Sequence, residues 1–105
     1  MRQGRGISPD VVGFLCDAGV RVIGTDAWSL DPPLDVMRQR ATIHGDESVW
    51  QAHYMGRHRE FCIVEKLQNL EQLPEAGFTM ACFPVKIGAG SAGWTRAVAI
   101  VEEDL

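Results

Sequence analysis

Only three cysteines occur in the 105 residues, and no two are close enough to form a CxxC pair. An odd, widely spaced set (Cys16, Cys62 and Cys82) argues against a disulfide framework and against a four-thiolate zinc site. Free thiols behave as small hydrophobes, so buried, reduced cysteines in a cytoplasmic protein are expected. Clusters of Lys or Arg are missing too, and the net charge is −4. Nothing is then available to neutralise a phosphate backbone, which disfavours nucleic acid as a partner. A membrane surface is disfavoured for the same reason, since amphipathic membrane binders carry basic polar faces. No apolar run follows the opening MRQGRG, so neither a signal peptide nor a transmembrane helix is expected. A GxSxG elbow is absent, and Ser29 has no obvious base nearby, which disfavours serine hydrolysis.

What is present is a hydrophobic content of 46%, enough for one compact domain over residues 1–105. Ser8-Pro9-Asp10 is a strong helix start: a capping hydroxyl, a proline suited to the first turn and an acid at the positive end of the dipole. Val11, Leu15 and Ala18 fall on one face with Phe14 beside them, and Gly19 is a natural stop. A strand is expected at Val20–Gly24, then a loop, TDAWSLDPP, over 25–33. Helices are expected over 34–43 and from Asp46 through Met55, with Gly56 ending the second. Phe61, Ile63 and Glu65 alternate with Cys62 and Val64, giving a strand with a carboxylate at its end. Phe78 to Ile87 reads as a strand with an edge or bulge at Pro84, and Arg96 to Val101 as another. The class is α/β, with a mixed sheet and flanking helices.

Gly88-Ala-Gly-Ser-Ala-Gly93 spells GxGxxG, but a strand follows it instead of the helix that would hold a pyrophosphate. The glycine loop is therefore read as an inter-strand connection or a place of close backbone approach. His44 and His58 sit in polar turns and are expected to be solvated. His53 shares a helical face with Val49 and Trp50, so it is expected to point inward. Glu65 follows Phe61 and Ile63 on a buried strand face, where a carboxylate needs a partner. A hydrogen-bonded core pair and a pair of metal ligands both fit this pattern. Imidazole nitrogen with carboxylate oxygen suits zinc or manganese. Asp26, Trp28 and Ser29 lie just beyond a strand end, where α/β sheets usually bind ligands. Trp28 is either an aromatic stacking surface or a core anchor.

Three segments in order, GTDAWSLD, AHYMGRHREFCIVEKLQNLEQLP and FTMACFPVKIGAGSAGWTRAVAI, resemble the cyclase family of metal-dependent hydrolases. That family includes bacterial kynurenine formamidase and isatin hydrolase. The likeness covers nearly the whole chain, and EKLQNL and TRAVAI are its more specific stretches. The resemblance implies part of a swivelling β/β/α domain, with a His and, twelve residues later, a Glu as ligands of a divalent metal. His53 and Glu65 occupy those places. Asp26, Trp28 and Ser29 would shape a pocket for a small amide substrate, in an arylformamidase of tryptophan catabolism. The family's amino-terminal HxGTHxDxPxH has no counterpart in these residues, so the expected match is to a carboxyl-terminal portion, with no catalytic residue assigned. Zinc or manganese is the expected cofactor, held weakly by two ligands alone. The alternative is a non-catalytic interaction protein that folds by associating with itself, and a homo-oligomer is expected in either case.

Overall fold

The computed structural model describes residues 5–102, which divide into two compact units between Gln68 and Asn69. The class is the expected mixed α/β, with helices and two small sheets, one parallel and one antiparallel.

In the first unit, α1 (Pro9–Asp17) begins as its sequence requires: the Ser8 side chain accepts from the Val11 N–H, and Pro9 fills the first turn. Its buried face is Val12 and Cys16, whereas Val11 and Phe14 are exposed, which corrects the expected stripe. The physical reason is that Val11, Val12, Phe14, Leu15 and Cys16 ring much of the helix. Periodicity then selects no unique face, and what lies beside the helix decides. Gly19, with φ of +95°, turns the chain out of the helix. The following strand β1 is Val22–Gly24, shorter than expected, and pairs in parallel with β2 (Cys62–Val64), Ile23 opposite Ile63. The core comprises Val12, Cys16, Ile23, Leu30 and Ala52, with Leu15, Met55, Phe61 and Ile63 packed against it.

Helix α2 (Leu34–His44) forms as expected and closes at Gly45, whose φ is +85°. The single helix expected from Asp46 through Met55 does not form. In its place are a 3₁₀ turn at Asp46–Ser48, a left-handed residue at Trp50, the short α3 (Gln51–Tyr54) and a 3₁₀ turn at Met55–Arg57. The break coincides with an outside group, Asp31, that accepts hydrogen bonds from the first turn of α3. No helix among the described residues is long and apolar enough to cross a membrane.

The second unit holds β3 (Phe78–Cys82) and β4 (Ala97–Val101), antiparallel, with Met80 opposite Ala99. The ladder stops at Cys82, short of the expected Ile87, just before Pro84, which has no N–H to donate. Val85 N–H donates to the Trp94 carbonyl, closing the glycine-containing connection. A Cβ on Gly93 would stand 2.2 Å from the Val85 carbonyl oxygen, so this position demands glycine through close backbone approach. Cys16 is buried, but Cys62 is exposed and Cys82 half-buried, so the expectation of uniformly buried thiols is corrected. The period-two pattern of β2 puts Cys62 opposite Ile63, on the face away from the core.

Candidate functional site

Parallel pairing of β1 and β2 brings the loop after each strand to the same end of the sheet. Pairing continues past the strands: Thr25 N–H donates to Val64 O, Leu67 N–H to Thr25 O and Lys66 N–H to Ala27 O. Glu65, the first residue beyond β2, is thereby laid against the loop 25–31. Its Oε1 accepts from Leu30 N–H at 2.8 Å, and Leu30 is itself anchored in the core.

His53 reaches this carboxylate from α3, with Nε2 3.5 Å from Glu65 Oε1. On its other side, Nδ1 lies 2.6 Å from Asp31 Oδ2. The Asp31 side chain is 2% exposed, against 36% for His53 and 24% for Glu65. Both Asp31 oxygens are engaged further, Oδ1 by Ala52 N–H at 2.8 Å and Oδ2 by His53 N–H at 3.0 Å. The Trp50 ring meets the His53 imidazole edge-on, with centroids 5.5 Å apart. His53 therefore points inward, as expected, though its placement comes from Asp31 and a broken helix instead of a continuous face with Val49 and Trp50.

Neutral imidazole has one N–H and one lone pair, and a carboxylate only accepts. If Nδ1 carries the proton toward Asp31, a neutral ring leaves the Nε2 lone pair facing Glu65 Oε1, and two acceptors do not bind each other. The 3.5 Å gap is shorter than two metal–ligand bonds of about 2.0–2.2 Å end to end, so one ion can touch both atoms. Donor chemistry and spacing fit a divalent cation of the zinc or manganese kind. Two donors are what the described residues bring: no group of three His, Cys, Asp or Glu side chains among them is arranged to hold a metal.

The remaining expected residues surround the pair unevenly. Trp28 is 71% exposed, with the Lys66 ammonium 4.2 Å from its ring centroid. Lys66 Nζ also lies 4.0 Å from Glu65 Oε2. Ser29 Oγ accepts from Asp31 N–H at 3.3 Å, so it shapes the turn that presents Asp31. Asp26 is exposed, as are His44 and His58. Two residues with positive φ flank the pair, Trp50 at 54° and Lys66 at 59°. Such a conformation costs a non-glycine residue roughly 1–2 kcal/mol and persists where surrounding contacts over-determine it. Asp31 itself was not singled out in the sequence. The available signal was an acid inside SLDPP, directly after an apolar residue and before two prolines, but an acid beside prolines reads first as a turn residue.

Comparison with known proteins follows the same residues. Over 92 residues the chain is 32% identical to the kynurenine formamidase of Erythrobacter litoralis, a match covering 88% of this chain and 37% of that protein. It is 33% identical over 92 residues to the kynurenine formamidase of Salinibacter ruber, with the same coverages. The kynurenine formamidase of Paracidovorax citrulli is 29% identical over 91 residues, covering 87% of this chain and 36% of that protein. The resemblance to kynurenine formamidases holds at family level, and the chain spans a little over a third of the length of these relatives. No family model matches the chain, and no solved structure does.

Proposed function

We propose that the chain carries part of the site of a metal-dependent hydrolase of small amides, similar to kynurenine formamidase, with His53 and Glu65 as two of its metal ligands. The observation that carries this reading is the approach of His53 Nε2 and Glu65 Oε1 to 3.5 Å, a span that one ion can bridge. A zinc-class ion, when bound, supplies Lewis acidity toward a carbonyl and a water nucleophile at neutral pH. The chain's own residues do the rest. Leu30 N–H holds one Glu65 oxygen, Lys66 stands beside the other, and the Trp28 indole offers a flat surface to an aromatic substrate. Asp26 and Ser29 belong to the same loop and would wall the pocket. The likeness to three kynurenine formamidases supports the substrate class.

The test is zinc titration in competition with a chromogenic chelator, on the wild-type chain and on His53→Ala and Glu65→Ala. Each substitution is expected to weaken binding at least about tenfold, because half of a two-ligand set is lost. Equal dissociation constants for all three proteins, or no saturable binding by the wild type, would sink the assignment.

A second reading, self-association without catalysis, is favoured by exposed apolar surface. In the second unit Phe83 and Trp94 are each 81% exposed, and Val85 and Ile87 are exposed beside them. Large apolar side chains left in water at this density usually mark an interaction surface. Sedimentation velocity over a hundredfold concentration range should then show a rising coefficient. A constant monomer value would remove this reading and, with it, the expected homo-oligomer.

A further inference from the structure

Asp31 is the most buried acid among the described residues, and every contact it makes leads to one place. One carboxylate accepts from two successive amides at the start of α3 and from the imidazole that α3 carries. The amides it takes are among those that a helix leaves without intrahelical partners. An adjacent Ser, Thr, Asn or Asp ordinarily serves them, but the residue before α3 is Trp50, in the left-handed region and with no side-chain cap. Asp31 therefore substitutes for the cap from twenty residues away, and the same oxygen that receives the His53 N–H also receives its imidazole.

We infer that Asp31 is the positioning residue of the site: it fixes His53 as the Nδ1–H tautomer and aims the Nε2 lone pair at the space beside Glu65. The inference rests on the proposed metal-ligand role of His53 and Glu65 for its purpose, but not for its geometry. Its logic is that of a carboxylate behind a ligand histidine, which fixes the tautomer and the ring's orientation. Backbone and ring are set together, so rotation of the imidazole would break a charge-assisted contact and leave a buried acid short of a donor.

The experiment is nitrogen-15 NMR of the imidazole of His53 in the metal-free chain at about pH 8.5, some two units above the ordinary histidine range. Expected is a single tautomer, with Nδ1 in the protonated range of shifts and Nε2 in the lone-pair range. A mixture, the Nε2–H form, or protons on both nitrogens overturns the inference without any variant being made. In Asp31→Ala, provided amide spectra show the fold retained, the tautomer preference should be lost and zinc affinity should fall about 10–100-fold. A folded Asp31→Ala with an unchanged tautomer also overturns it. Failure of the metal-site reading is separable: a wild type that shows the Nδ1–H form yet binds no zinc refutes that reading and leaves the role of Asp31 standing.

Discussion

Leu30 and Asp31 are neighbours with opposite chemistry, and both are almost fully buried, at 1% and 4% exposure. Leu30 fills the core beside Val12, Ile23 and Ala52, while its amide restrains Glu65. Leu30→Ala should therefore lower unfolding stability by about 2–5 kcal/mol, through lost burial plus the cavity left behind. Urea denaturation measures this directly, and an unchanged midpoint would mean that Leu30 is not a core anchor. Asp31 is tolerated inside because three donors surround it, whereas a buried carboxylate without partners would cost several kcal/mol. Position along the chain could not separate these two residues, since both lie in a loop rich in turn formers.

At the scale of elements, the start of α1 and the length of α2 came out as expected, whereas the Asp46 start and the Gly56 stop did not. The Ser8-Pro9-Asp10 start is capped by the Ser8 side chain, and Gly19 takes the positive φ that turns the chain out of α1. Ser8→Ala should cost about 1 kcal/mol in a urea melt, with helical signal lost from α1 first. A loss near zero would show that the 3.4 Å contact from Val11 N–H is not a working cap. The helix expected from Asp46 through Met55 failed for an opposite reason. Its amides had a better acceptor elsewhere, in Asp31, and a window of local sequence contains no information about a group fifteen residues before it.

For the molecule as a whole, the two units differ in how they are built. Every fully buried side chain among the described residues belongs to the first unit, and the second is a hairpin and loops with both faces partly wet. Opening free energies follow buried apolar contact, so hydrogen exchange should be slow at Val12, Cys16 and Ile23 and markedly faster across Phe78–Cys82 and Ala97–Val101. Equal protection in both would contradict this, and would indicate that the hairpin is covered in solution.

The sequence by itself determined the α/β class, the places of the main strands, the start of α1 and the ordered segments that carry the family resemblance. It also marked Glu65, an acid at the end of an apolar strand, and it marked His53 through a continuous helical face that does not form. Only the tertiary structure decided that these two side chains meet, that α1 buries Val12 and Cys16, and that Asp31 stands behind the histidine. The reason is physical: propensity and periodicity act within a few residues, whereas a carboxylate that caps a helix twenty positions away is found only when the chain has folded around it.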